Sequence, residues 1–279
     1  MELAEKWAAD LRGVLRGSSP LIQDLRVGVF YTAVRLSSGH VGVAFTPRNL
    51  AETVCCPRTA ASAPPAGRMK GQSAWQLATQ ASSRNPLCRA VGVATLNALS
   101  ALGMERHGTP GGELHVGMDA LDAAEVGPVD RVAMVGAIIP FIKALKGHVA
   151  SLEIIDKHPQ SLKPDEQRFY VPSERASHSL ERATVVILSG SALVEGGLDD
   201  LLRAASTARQ VVLAGPTASP WPPTFFERGV SILGGIRSHD GERLLSLVSE
   251  GGSGYQFAQV AEKISIVRTQ AGTGRTFGT

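Results

Sequence analysis

Residues 132–156 read VAMVGAIIPFIKALKGHVASLEIID, and the order of features in this stretch decides the fold class. Val132 to Val135 is a short apolar run that stops at Gly136, the pattern of a parallel strand buried on both faces. Pro140 suits a first helical turn, where its missing N–H costs nothing. Phe141, Ala144 and Leu145 then form a helical stripe that ends at Gly147. A second apolar run, Leu152 to Ile155, closes on Asp156, so the stretch predicts a strand–helix–strand unit. Asp156 follows Gly136 by 20 residues, close to where Rossmann-like folds place the acid that accepts hydrogen bonds from a ribose. The turn itself is Gly136-Ala-Ile-Ile-Pro140 rather than GxGxxG, so a standard dinucleotide grip is not indicated.

Working outward toward the C-terminus, the same alternation repeats. After a polar loop, Lys157 to Pro172, and a short helix, Ser173 to Glu181, the run TVVIL (184–188) leads into Ser189-Gly190-Ser191. A helix over Leu198 to Ala208 precedes VVLA (211–214), which leads into Gly215-Pro216-Thr217, and Val230 to Leu233 leads into Gly234-Gly235. This order specifies an open parallel α/β sheet. Glu242 to Ser249 adds a helix, and Ile264 to Val267 reads as an edge strand.

Toward the N-terminus the pattern changes. Leu3, Trp7, Leu11, Val14 and Leu15 lie at helical spacing. Leu25 to Leu36 and His40 to Thr46, joined by Ser37-Ser38-Gly39, read as a β-hairpin. Residues 52–71 are rich in Pro, Ala, Ser and Gly and read as a long loop. Helices follow over Ser73 to Ala81 and Pro86 to Leu102, the second apolar almost all round and therefore expected between other elements, and Met104 to Val129 reads as an interdomain connection. The expected organisation is a smaller α+β domain over 1–128, a Rossmann-like domain over 129–270, and a disordered tail or tag remnant over 271–279.

At 279 residues and 43% hydrophobic content the chain can fill two cores. A net charge of +3 without a block of like charges, and 5% aromatic residues, give no support to nucleic-acid binding. No apolar run reaches the roughly 18 residues of a membrane span, and the first residues carry mixed charge, so a cytoplasmic protein is expected. Three cysteines, Cys55, Cys56 and Cys88, are an odd number without CxxC, which favours reduced thiols over a disulfide framework. A homodimer is the default expectation for such a protein.

In an open α/β sheet ligands sit beyond the carboxyl ends of the strands. Those ends are Gly136, Asp156, Ser189-Gly190-Ser191, Gly215-Pro216-Thr217 and Gly234-Gly235. Small residues let backbone N–H groups approach a ligand, and hydroxyls beside them suit a phosphate or carboxylate, although glycine after a strand is also how a tight turn is made. Asn97, an amide in an apolar helix, either ties neighbouring backbone or faces a cleft, the former being the commoner fate. Vicinal Cys55-Cys56 and the loop histidines His107 and His115 lack the further donors that a tetrahedral metal site needs. GxSxG, HExxH and GxxxxGK[ST] are all absent.

These residues resemble the bacterial and archaeal DUF364 family, which carries a heavy-metal chelation label, with a DUF4213 domain in front. The likeness runs from about Leu3 to Val267 and is carried by VGVFYTAV with GVAFTP, RAVGVATLNAL, VAMVGAIIPFIKAL, TVVILSGSALVEGGLDDLL, VVLAGPTASPWPPTFFERGV and GGSGYQF. The resemblance implies an enolase N-terminal-like domain followed by a Rossmann-like domain, with a site in the cleft between them. The positions it implies are Thr32, Asn97, Gly136, Asp156, Ser189 to Leu193 and Gly215 to Thr217. The family pattern Thr-Gly-Ser-Thr-Leu, followed by Asn and Thr, is replaced here by Ser189-Gly-Ser-Ala192-Leu193 with Glu195 and Gly197, which removes two hydroxyls and an amide from the implied rim.

Three functions remain open on these grounds. One is binding or processing of a small anionic molecule or metal complex, chelation of a heavy metal included. Another is an enzyme with an adenosine-containing cofactor held by Asp156. The third is a degenerate member acting through protein contacts.

Overall fold

The computed structural model describes residues 1–47 and 63–269. Cys55 and Cys56, most of the 52–71 stretch and the 271–279 tail lie outside the described residues. The N-terminal unit comprises α1 (Leu3–Val14), β1 (Ile22–Val27), β2 (Tyr31–Leu36), β3 (Val41–Phe45), α2 (Ala74–Ala78) and α3 (Pro86–His107). The strands form an antiparallel meander in the order β1-β2-β3. The single strand expected over Leu25 to Leu36 is therefore two, folded back at Gly28-Val29-Phe30, where the Gly28 N–H donates to the Tyr31 carbonyl at 2.8 Å.

The larger sheet has eight strands in the order β4-β11-β10-β9-β8-β5-β6-β7. Its parallel part consists of β5 (Arg131–Val135), β6 (Ser151–Asp156), β7 (Tyr170–Pro172), β8 (Val185–Ser189), β9 (Gln210–Ala214) and β10 (Ile232–Ser238). β5, β6 and β7 step outward one way, β8, β9 and β10 the other, so the order reverses between β5 and β8. The expectation of a mixed α/β chain with a Rossmann-like sheet and a smaller α+β unit is met. Several details differ. β7 lies inside the stretch read as a polar loop, paired in parallel with β6. β10 runs on through Gly234-Gly235 to Ser238, so that pair is not a strand end. β11 (Ala261–Arg268) is not the edge: the interdomain connection folds as β4 (Gly112–Val116), which pairs outside β11, and the large sheet thus begins before residue 129.

The helices of the large unit are α4 (Ala120–Ala123), α5 (Ile139–Leu145), α6 (Ala176–Arg182), α7 (Ala192–Glu195), α8 (Leu198–Ala204), α9 (Pro222–Phe226) and α10 (Gly241–Ser249). The two units share cores. One face of the small sheet, through Val34, Leu36 and Ala44, joins α3 and the large sheet's Val186, Leu188 and Leu213 in a continuous apolar cluster. Its other face, through Ala33 and Val43, packs on Leu244, Leu245 and Val248 of α10, an element of the large unit. The small sheet is thus buried on both faces, which is why Thr32, Ala33 and Val34 are all inaccessible rather than alternating.

At 22 residues α3 is long and apolar enough to cross a bilayer by length and composition, contrary to the sequence reading, but 78% of that window is buried inside the protein. Asn85 caps it by accepting from the Leu87 and Cys88 N–H groups, and Pro86 follows at the first turn. β3 crosses it so closely that a Cβ on Gly42 would stand 2.2 Å from the Ala94 carbonyl oxygen. Only glycine permits that approach.

Candidate functional site

The reversal between β5 and β8 puts Gly136 beside Ser189, at the carboxyl ends of neighbouring strands. Gly136 has φ 84°, and its N–H donates to the Ile155 carbonyl at 2.8 Å. On the other side, the Ser191 hydroxyl donates to Ser189 Oγ at 3.1 Å, with the Ser191 N–H further off at 3.4 Å. Ser189 therefore accepts from its own turn and keeps its hydroxyl proton for another acceptor. Ser189, Ser191 and Gly136 are half-buried, so a ligand can reach them.

Asp156 ends β6 and is also half-buried. Its Oδ2 accepts from the Ala137 N–H at 3.0 Å and its Oδ1 from the His158 N–H at 2.8 Å. The carboxylate thus pins the turns after both β5 and β6, and only its remaining lone pairs can serve a ligand. Lys157, the next residue, reaches Glu195 Oε2 at 2.8 Å, an ion pair joining the loop after β6 to α7, the short helix after β8.

Gly215-Pro216-Thr217 follows β9 and forms a tight turn closed by the Ala218 N–H to the Gly215 carbonyl, 2.8 Å. Gly190 is buried against this turn, its N–H donating to the Ala214 carbonyl at 2.8 Å. Thr217 is 2% exposed, and its Oγ1 accepts from the Phe45 N–H at 2.9 Å. Asn97, 1% exposed, donates through Nδ2 to the Val43 and Thr217 carbonyls, both at 2.8 Å. Thr32 is fully buried and its Oγ1 lies 3.0 Å from that of Thr46. The geometry therefore gathers Gly136, Asp156, Ser189, Ser191, Gly215 and Pro216 as an accessible rim. Thr32, Asn97 and Thr217, read as cleft residues, instead lie beneath it as ties between the units, out of reach of a ligand bound at the rim.

Sequence reasoning missed Tyr31 and the Gly254 segment. The Tyr31 ring packs on Phe257, centroids 5.0 Å apart, and a Cβ on Gly254 would fall 3.2 Å from both Tyr31 Oη and Pro216 Cγ. Burial first, and then the proximity of Tyr255, pushes the Tyr31 phenol up to about 12. The VGVFYTAV and GGSGYQF motifs, which contain Tyr31 and Gly254, carried the signal for this contact.

As a metal centre the described residues do not fit. Among them, no group of three or more His, Cys, Asp or Glu could hold an ion. His115 stands beside Glu113 at 3.8 Å on β4, with no further such donor. Cys88 is buried in α3 and hydrogen-bonded to Ser83, and burial raises its thiol above the usual range, which disfavours the thiolate. The rim offers hydroxyls and glycine-lined turns, which suit an anion better than a bare cation.

A Rossmann-like sheet joined through a shared core to a three-stranded α+β unit, with a rim of small and hydroxyl residues at the strand reversal, defines a mixed α/β protein with one large and one small sheet. The chain belongs to the DUF364 family, described as "Putative heavy-metal chelation", whose model matches residues 119–267. The DUF4213 model, with the same description, matches 16–100. An uncharacterised protein of Methanocaldococcus jannaschii is 25% identical over 182 residues, 64% of this chain, and the match spans 65% of that protein's own length. Two crystal structures of DUF364 proteins of unknown function share the fold. The one from Desulfitobacterium hafniense has a TM-score of 0.74 at 20% identity, covering 95% of this chain and 98% of that one. The one from Pyrococcus horikoshii has the same score and identity, covering 95% and 100%.

Proposed function

We propose that the rim of Gly136, Asp156, Ser189, Ser191, Gly215 and Pro216, with Gly190 and Thr217 supporting it from beneath, binds a small anionic molecule, or a metal held as its complex with such a molecule. The observation that carries this reading is the uncommitted Ser189 hydroxyl proton at the strand reversal, on a half-buried side chain packed against Gly136. The family description favours a metal-bearing ligand, and the lack of a three-donor cluster among the described residues favours one that brings its own chelating groups. Ferric citrate, with a polycarboxylate coat around the metal, is a suitable probe. Calorimetry with the whole protein should show saturable binding of ferric citrate that Ser189→Ala weakens about tenfold, the cost of a lost hydrogen bond to a charged group. An unaffected affinity in that variant sinks the proposal.

A second reading, an adenosine-containing cofactor, draws on Asp156 at the end of β6, the position that holds a ribose in sheets of this order. Its weakness is that both oxygens already accept backbone N–H groups. S-adenosylmethionine is the discriminating probe: binding lost in Asp156→Ala favours the cofactor, and no binding by the wild-type protein removes it. If neither probe binds, the reading left standing is a family member that acts through protein contacts.

A further inference from the structure

A separate cavity of about 380 Å³ lies between β3 and α3 on one side and β10, β11 and β4 on the other. None of Gly136, Asp156, Ser189 to Ser191 or Gly215 to Thr217 lines it, so the cavity is independent of the rim. Its walls are mainly apolar: Val41 and Val43 from β3, Ala101 and Met104 from α3, Ile236 from β10 and Ile264 from β11.

The polar side chains around it are almost all committed. At its mouth His40 pairs with Glu105 at 3.1 Å and also meets Ser38. Arg237 is held by Glu262 at 2.6 Å. The Ser219 hydroxyl exchanges hydrogen bonds with the N–H and carbonyl of Ile236, both at 3.0 Å. Ser238 donates to the Val260 carbonyl and Thr109 to that of Gly112. The exception is Asn97. Its Nδ2 is used twice, but its Oδ1 is buried with no partner. On α3, Asn97 shares the cavity-lining face with Ala101, Met104 and Glu105, at helical spacing. A buried amide oxygen left without a donor is costly, and sites that retain one supply the donor from a ligand or water.

We infer that this cavity is a binding site for a neutral, mainly apolar small molecule with one N–H or O–H donor, which it directs at Asn97 Oδ1. The apolar walls take the body of the ligand. Arg237 is neutralised by Glu262 and Glu105 is engaged by His40, so neither charge at the mouth is left over for an ion. The volume falls in the range of small-molecule pockets.

The test uses two probes of similar shape, indole, which has an N–H donor, and benzothiophene, which has none. Titration of the wild-type protein by isothermal calorimetry should give one saturable site for indole and binding at least about tenfold weaker for benzothiophene, because benzothiophene leaves the amide oxygen unpaired. Ala101→Phe, which fills the cavity from its α3 wall, should abolish indole binding while far-ultraviolet circular dichroism stays unchanged. If the variant does not fold, cross-peak shifts in the wild-type protein on adding indole, confined to residues around Asn97, Ala101 and Ile236, locate the site instead. Equal affinity for the two probes overturns the donor requirement and with it the proposal. Absence of saturable indole binding, or binding indifferent to Ala101→Phe or located elsewhere, overturns it too, and leaves a cavity holding water only.

Discussion

A Cβ added to Gly136 would stand 2.7 Å from the Cβ of Ser189, so the strand reversal is built on a contact that only glycine allows. The residue also holds a positive φ of 84°. Gly136→Ala is expected to lower stability by about 1–3 kcal/mol through backbone strain, with the clash pushing Ser189 away as well. Urea denaturation should show a shifted midpoint with an unchanged slope. An unchanged midpoint would mean that the turn relaxes freely.

The Lys157–Glu195 pair sits beside the rim, with the Lys157 side chain 60% exposed. An exposed pair of this kind contributes little to stability, about 0–1 kcal/mol. Glu195→Gln should therefore leave the melting temperature nearly unchanged while releasing Lys157 and removing a negative charge. Ferric citrate affinity is expected to rise about two- to fivefold, more at low salt than at high salt. A fall in affinity would place the anion elsewhere.

At the opposite, amino end of the strands, Asp130 is 4% exposed and accepts from Arg209, from the Gly127 N–H at 2.9 Å and from Thr184 at 2.8 Å. The Arg209 guanidinium first, then the hydrogen bonds from Gly127 and Thr184, hold this carboxyl well below the usual carboxylate range. Because the folded value lies below the unfolded one, the stabilisation is complete above the ordinary pKa of 3.8 and is lost as pH falls from there toward the folded value. Asp130→Asn should cost about 2–3 kcal/mol at neutral pH, since Arg209 is partly solvated, and should flatten the stability profile in acid. Thermal melts of both proteins between neutral and acid pH check this.

Tyr31 has the opposite sense. Its phenol is held up to about 12 by burial, so the stabilisation is fully present below its ordinary value of 10.0 and is lost as pH rises between the two. In an ultraviolet titration, one of the three tyrosines should ionise only near pH 12, and Tyr31→Phe should remove that step. The variant should also lose less stability than the wild type in alkali.

The buried parallel strands were legible because both faces are apolar, so VAMV, TVVIL and VVLA announce themselves without alternation. β4 and β7 were not. GELHV and YVP are sheet edges, paired on one side only and half-exposed, and edges carry little hydrophobic signal. Gly234-Gly235 looked like a turn but serves close packing within β10, where a Cβ on Gly234 would lie 2.2 Å from that of Ala120. At the candidate site, spacing located the rim but not the use of its atoms. That the oxygens of Asp156 accept from Ala137 and His158, or that Asn97 spends its amide on Val43 and Thr217, depends on distances that residue types do not encode.

The strand that precedes the large unit has a practical consequence. β4 covers β11 through residues 112–116, yet the DUF364 match begins at 119. A fragment cut at that boundary would strip β11 of its outer neighbour and bare a ladder of five residues, Ile264 to Arg268, that includes Ile264 and Ile266. Such an unpaired edge recruits other chains. The piece that sequence matching defines as a domain should therefore be sticky in isolation, and one begun before Gly112 should not share that fault.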